Sequence, residues 1–189
     1  MILADFAPQY EGCQRVCIPR QYMKVMALAT FLFLSACASS PSNVGDLPEP
    51  PWQNAPLANV PHVYRSEWQK AENRSTCALV ALADHGSVTD ATPRRANFSG
   101  GWAVAFDTPS TRSAFGIAGT GTTSEGSYQW PDGMQWADGS SASYGLEGGT
   151  GPNHLAYVTI AGQQCLYNVW SAMGKEHLEH LLRQMRFVE

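Results

Sequence analysis

Three acids in one glycine-rich stretch, residues 119–153, and the histidine directly after it are the side chains best suited to proton transfer. They are Asp132, Asp138, Glu147 and His154. A pair of carboxylates flanking a glycosidic bond is the apparatus of glycan hydrolysis, because one acid protonates the leaving oxygen. Both aspartates, however, precede glycine, and Asp-Gly dipeptides favour turns whatever their chemistry. Hydrolysis of peptidoglycan or another glycan by this set is therefore the alternative hypothesis for function.

A second candidate is the histidine pair in the run His177-Leu178-Glu179-His180. Two imidazoles can face one metal ion, but the zinc protease motif requires histidines four residues apart and a glutamate directly after the first. We therefore interpret both histidines as part of a solvated helix face. The sequence contains no phosphate-binding loop, dinucleotide fingerprint or nucleophile elbow. It predicts no metal, no cofactor and no catalytic residue.

Four aromatic residues lie among hydrogen-bonding side chains in the same glycine-rich stretch: Tyr128, Trp130, Trp136 and Tyr144. Exposed aromatic rings can stack on sugar rings or anchor a protein partner. The same rings can equally fill a small core beneath an irregular segment. Both interpretations stay open, and the first makes residues 119–153 a candidate contact surface for a ligand or partner.

Near the amino terminus, Lys24 precedes about ten apolar residues, 25–34, and the run ends in Leu34-Ser35-Ala36-Cys37. A membrane-spanning helix needs roughly twenty apolar residues. A short run with a positive charge before it and small residues after it is typical of a signal peptide. This stretch resembles the signal peptide and lipobox of bacterial lipoproteins.

The resemblance implies cleavage before Cys37, attachment of diacylglycerol to its sulfur and acylation, typically with palmitate, of the new amino terminus. Several acyl chains together anchor a protein stably where one chain does not. In Gram-negative lipoproteins an aspartate after the cysteine retains the protein at the inner membrane, whereas this chain has Ala38. The resemblance therefore implies an outer-membrane lipoprotein that faces the periplasm.

Four segments follow from this assignment. Residues 1–22 are interpreted as an extension that precedes the true translation start, and residues 23–36 as the lipoprotein signal peptide. Residues 37–61 contain many prolines. Since proline fixes φ and removes a backbone donor, we expect this segment to be an extended tether. Residues 62–189 are expected to form a single domain.

Charge and cysteine content limit the partners and the compartment. The formal net charge is −4, and the chain has no Lys or Arg between Ser113 and Gly174. A nucleic-acid partner requires a basic stripe, so none is predicted, and the membrane contact is expected only through the lipid on Cys37. An oxidising periplasm favours a disulfide between Cys77 and Cys165.

Alternation of side chains predicts hairpin strands at 101–107 and 113–118, and again at 155–160 and 164–170. Residues 164–170 are expected to form a conventional packed strand, and they contain no motif that is typical of a known chemistry. Four residues near the carboxyl terminus are spaced for one face of a helix: Leu178, Leu181, Leu182 and Met185. The predicted fold class is α+β, with a mainly antiparallel sheet packed by a C-terminal amphipathic helix.

The sequence thus predicts a lipid-anchored envelope protein whose role is binding or interaction and not catalysis. Lipid anchoring raises the effective concentration of neighbours at the membrane. The expected partner is an envelope protein or a glycan, and an inhibitor or immunity-type protein that blocks an envelope hydrolase fits the same plan.

Overall fold

The computed structural model describes residues 47–98, 100–121, 130–149 and 152–189. All of them belong to one compact unit, Pro41–Glu189. The predicted lipidation site Cys37, the signal peptide and the aromatic residue Tyr128 lie outside the described residues, so these expectations stay predictions.

Ten strands and two α-helices lie in the described residues. In chain order they are β1 (Asn54–Ala55), α1 (His62–Lys70), β2 (Val80–Leu82), β3 (Thr92–Arg95), β4 (Trp102–Asp107), β5 (Phe115–Gly119), β6 (Asp132–Gln135), β7 (Ser141–Leu146), β8 (His154–Thr159), β9 (Leu166–Ser171), α2 (Lys175–Arg183) and β10 (Met185–Val188). The structure is mostly β, and its helices are short.

Seven strands form one sheet in the order β3-β4-β5-β9-β8-β7-β6. Every neighbouring pair in it is antiparallel. Both predicted hairpins are present, as β4–β5 and β8–β9. The prediction of a mainly antiparallel sheet is therefore confirmed.

A second, three-stranded sheet has the order β1-β10-β2, with β1 parallel to β10 and β10 antiparallel to β2. It corrects the expected end of the chain. The helix stops at Arg183, and Met185, which the periodicity placed on a helix face, begins β10. Pairing with β2 supplies the backbone hydrogen bonds that a longer helix would otherwise have made. The partner strand lies about a hundred residues away in sequence.

The folded part begins before the predicted boundary at His62. Trp52 lies against Trp136 with ring centroids 5.2 Å apart, and the Ala137 N–H donates to the Pro48 carbonyl. β1 then pairs with β10. The part of the expected tether that runs from Pro48 to Pro61 therefore includes residues that contact the domain, because proline carbonyls still accept hydrogen bonds and Trp52 gains apolar contact.

The core lies on one face of the seven-stranded sheet, here called the inner face. As the alternation in β4 predicts, Trp102, Val104 and Phe106 share this face, and each is at most 1% exposed. From α1, Tyr64 packs against Trp102 and Phe106. From α2, three leucines are fully buried: Leu178, Leu181 and Leu182.

Cys77 and Cys165 form a disulfide, as the sequence predicts, with their Cα atoms 4.9 Å apart. Both residues are fully buried. The bond joins the segment before β2 in the small sheet to the segment before β9 in the large sheet. The large sheet is thus covalently linked to the small sheet through residues 88 positions apart.

Within the described ranges, the structure contains no helix that is both long enough and apolar enough to cross a bilayer.

Candidate functional site

The structure does not bring the four predicted aromatic residues together. Trp136 and Tyr144 lie on the inner face and are only 3% and 4% exposed. Trp136 packs against Trp52, and the Tyr144 hydroxyl donates to Glu179 at 2.9 Å. These two rings therefore belong to the core and cannot form an exposed patch.

Trp130 is on the opposite side of the sheet from this core. Its ring lies against Gly145, where an added Cβ would clash with the indole. The centroid of Tyr157 is 6.1 Å away. Because successive strand residues point to opposite faces, the alternation in β7 separates Tyr144 from the Gly145 position beneath Trp130. The fourth member, Tyr128, lies outside the described residues.

The two aspartates of the hydrolase hypothesis serve separate structural contacts. Asp132 forms an ion pair with Lys175 of α2. Asp138, in the turn after β6, accepts hydrogen bonds from the Trp52 indole at 2.9 Å and from Ser140. These contacts explain both carboxylates without a proton-transfer role.

Glu147 and His154 are likewise not brought into one acid pair. Glu147 accepts a hydrogen bond from the Asn153 side chain at 3.3 Å. His154 and Asp132 line a cavity of about 410 Å³ beside Trp130, but neither Asp138 nor Glu147 lines it. The geometry therefore gives no support to a carboxylate pair across a bond.

His177 is tied into the fold and does not belong to a solvated face. The Met173 N–H donates to the Ser171 hydroxyl at 3.0 Å, and that hydroxyl lies 2.9 Å from His177 Nδ1. His177 Nε2 lies 3.2 Å from the His85 carbonyl. Because a carbonyl can only accept, Nε2 carries the proton, and Nδ1 accepts from the Ser171 hydroxyl.

The neighbouring His180 contacts Asp84 at 3.0 Å, so both histidines of α2 hold the loop at 84–85. Ser171 itself is fully buried, and its contact with His177 is therefore structural. In the part of the chain that the structure describes, no three His, Cys, Asp or Glu residues are grouped to hold a metal ion.

This cluster predicts that the protein loses stability as the pH falls below about 6.5. Burial lowers the pKa of His177. The hydrogen bond to the His85 carbonyl acts in the opposite direction, and the charge of His180 lowers the pKa further. Burial also lowers the pKa of His85, opposed by Asp84. Since the unfolded chain takes up these protons first, the stabilisation is complete above the unfolded pKa and is lost as the pH falls toward the folded pKa.

Urea unfolding at about pH 7.5, 6.5 and 5.5 measures this loss. In His177→Gln the decrease in unfolding free energy across the series should be smaller than in the wild type. His62→Gln, at the start of α1 and outside the cluster, should keep the wild-type decrease. A wild type that is equally stable at all three values contradicts the prediction.

The opposite face of the seven-stranded sheet, here called the outer face, has an unusual composition. Residues paired in register share a face. One outer row across β4, β5, β9, β8 and β7 is Ala105, Gly116, Trp170, Leu155 and Gly145, and the next row is Ala103, Ala118, Asn168, Tyr157 and Ser143. On β9, Trp170 and Asn168 thus face the small residues of β4 and β5 on one side, and Leu155 and Tyr157 of β8 on the other.

The Trp170 indole lies over Gly116 of β5. An added Cβ at Gly116 would clash with the Trp170 indole and the Val104 carbonyl. The glycine therefore leaves the space in which the indole rests, and the ring stays half-buried. Because Gly116 has no side chain, Trp170 can rest there as a fixed platform on the outer face.

A cavity of about 420 Å³ opens beside this platform, and we call it the outer-face groove. Its functional side chains are aromatic, amide and charged: Asn97, Phe98, Arg112, Glu147, Asn168 and Trp170. Phe98 is 39% exposed. The Oδ1 atom of Asn168 is buried and has no hydrogen-bond partner among the described residues. A buried unsatisfied acceptor costs about 1–3 kcal/mol, so a donor on a ligand that reaches it is strongly favoured.

The turn between β4 and β5 holds the charged end of the groove. Asp107 accepts hydrogen bonds from the Arg94 guanidinium and from the Ser113 N–H. The Arg94 hydrogen bond, followed by that of Ser113, lowers the pKa of Asp107. Ser113 adopts a left-handed φ of 57°, a strained conformation for a residue with a side chain. This turn places Arg112 at the groove.

The chain matches no protein-family model, no curated protein and no solved structure.

Trp170 and Asn168 are not among the residues predicted from the sequence, although a signal for them exists. In the predicted strand at 164–170, Tyr167 and Val169 alternate with Asn168 and Trp170. Two faces of similar size therefore compete for the core, and the sequence does not show which one is covered. The facing alanines and Gly116 become visible as partners of these residues only through the register of β5 and β9.

Proposed function

We propose that this protein is a lipid-anchored binding protein of the bacterial envelope that holds a glycan in the outer-face groove without catalysing its cleavage. The observation that carries the proposal is that two side chains line one cavity: Trp170, which lies over Gly116, and Asn168, whose Oδ1 has no hydrogen-bond partner in the described part of the chain. It replaces the predicted aromatic patch of Tyr128, Trp130, Trp136 and Tyr144 as the candidate contact surface.

The groove chemistry fits a sugar better than an apolar ligand. One face of a sugar ring presents C–H groups that pack on an indole, and its edge presents hydroxyls that both donate and accept hydrogen bonds. Trp170 and Phe98 offer the rings, whereas Asn97, Asn168 and Arg112 offer polar groups at the edge. A few fixed polar groups around aromatic walls are typical of small-ligand sites.

Binding without catalysis is favoured because the carboxylates near the groove already form hydrogen bonds or ion pairs within the protein. Glu147, the one acid among the described residues that line the groove, forms a side-chain and a backbone hydrogen bond with Asn153. The carboxylates Asp132 and Asp138 contact Lys175 and Trp52 away from the groove. Glycan hydrolysis by this set has no comparable support.

The proposed location depends on the signal peptide at 23–36 and on lipid attachment at Cys37. The buried disulfide Cys77–Cys165 supports a compartment in which disulfides persist, such as the periplasm. We infer further that the domain is of the α+β class, with α2 packed on the sheet. The buried leucines of α2 and the contact between Tyr144 and Glu179 support this.

Binding to purified peptidoglycan sacculi and to the N-acetylglucosamine tetramer tests the proposal. We expect the wild type to bind both, and Trp170→Ala to weaken binding at least about tenfold, since aromatic anchors often contribute 2 kcal/mol or more. Trp130→Ala is the matched control, because Trp130 lies on the same face but lines a different cavity.

A wild type that binds neither probe, or Trp170→Ala that binds like the wild type, overturns glycan binding in the groove.

Labelled palmitate should enter the wild type and not Cys37→Ser. Label that enters both equally overturns the anchor.

A further inference from the structure

A second cavity, of about 580 Å³, adjoins the outer-face groove. The two share the segment Ala96–Phe98 as a common wall. Phe98 projects at this junction with 39% of its surface exposed. One ligand that passes over Phe98 can therefore enter both cavities.

The second cavity differs from the groove in its charges. Glu67 of α1 holds Lys70 at 2.9 Å and Arg95, the last residue of β3, at 3.3 Å. The Glu67 side chain is only 11% exposed, whereas both cationic side chains are 66% exposed. One carboxylate cannot satisfy all the donors of two cations. The remaining N–H groups of Lys70 and Arg95 are thus held in place and available to a ligand anion.

A second carboxylate lines the same cavity, and its charge is opposite to that of Lys70 and Arg95. Glu72 follows α1 and is exposed. Among the described residues it forms no hydrogen bond or ion pair. Its carboxylate is therefore available to a ligand cation, beside a pair of cations available to a ligand anion.

We infer that the bound glycan carries a zwitterionic substituent, with its carboxylate held by Lys70 and Arg95 and its ammonium group held by Glu72. This inference rests on the proposed glycan binding in the outer-face groove. The sugar occupies the groove at Trp170, and the substituent crosses Phe98 into the charged cavity. An amino-acid or short peptide substituent has this chemistry.

Calorimetric titration of the wild type compares three probes. They are the neutral N-acetylglucosamine tetramer, a disaccharide carrying a tetrapeptide with free amino and carboxyl groups, and the same compound with its amino group acetylated. We expect the free disaccharide-peptide to bind about tenfold tighter than the neutral tetramer, since hydrogen bonds between charged groups are the strong ones. Acetylation should remove part of this preference, and added salt should weaken it.

Two variants locate the effect. Arg95→Gln and Glu72→Gln should each reduce affinity for the free disaccharide-peptide while leaving affinity for the neutral tetramer unchanged, which also shows that the variants are folded. Arg74→Gln, an exposed arginine that lines neither cavity, is the matched control. Equal wild-type affinities for the charged and neutral probes, or a preference that survives in both variants, overturn the zwitterionic substituent and leave glycan binding intact. A wild type that binds none of the probes overturns the proposed function itself.

Discussion

Removing the disulfide between Cys77 and Cys165 is expected to lower the free energy of unfolding by about 2–5 kcal/mol. The bond closes a long loop, since its cysteines are 88 positions apart, and a long loop restricts the unfolded chain strongly. Both cysteines are fully buried, so the folded state also loses the packing of two sulfur atoms.

The measurement is urea unfolding of Cys77→Ala/Cys165→Ala beside the wild type, each with and without a thiol reductant. Reductant should shift the unfolding midpoint of the wild type toward that of the double variant, and it should leave the double variant unchanged. A double variant as stable as the oxidised wild type shows that the bond contributes nothing.

Trp52→Ala is expected to lower the free energy of unfolding by about 2–3 kcal/mol, somewhat less than a fully buried tryptophan costs. The variant loses the ring contacts with Trp136 and Phe187. It also leaves Asp138 and Ser140 without the indole donor. The effect should be large because, through Trp136, Asp138 and Ser140, Trp52 connects the start of the folded part to the turn after β6.

Denaturant titration of Trp52→Ala, Trp52→Phe and Leu47→Ala distinguishes packing from hydrogen bonding. Trp52→Phe should recover part of the loss, because a ring returns without the indole N–H. Leu47→Ala should stay within about 0.5 kcal/mol of the wild type, as is usual for exposed positions, since Leu47 is 40% exposed. If Trp52→Ala is as stable as Leu47→Ala, the segment before β1 is a tether and not part of the fold.

Local patterns in the sequence determine much of the sheet. In β4, the alternation of Trp102, Val104 and Phe106 with small residues defines one apolar face, since strand side chains point to opposite faces with a period of two. The turn residues between β8 and β9 define a hairpin. The cysteine pair of the folded part is determined equally well, because Cys77 and Cys165 have no other partner in residues 62–189.

The start of the fold and the end of α2 depend on contacts between distant segments. Trp52 becomes part of the core through Trp136, and Met185 becomes part of β10 through its pairing with Leu82. Helical periodicity alone continues α2 through Met185. A strand partner far along the chain decides otherwise, because it satisfies the backbone groups and covers the apolar side chains at the same time.

The candidate site shows the same division. By itself, the sequence determined that aromatic, amide and glycine residues are plentiful, that the chain is acidic and that alternating strands are present. Only the tertiary structure decided which rings are accessible. It buried Trp136 and Tyr144 on the inner face and set Trp170 over Gly116 on the outer face. The physical reason is that accessibility depends on which residue faces a side chain across the sheet, and strand register, which joins residues far apart in sequence, determines that neighbour.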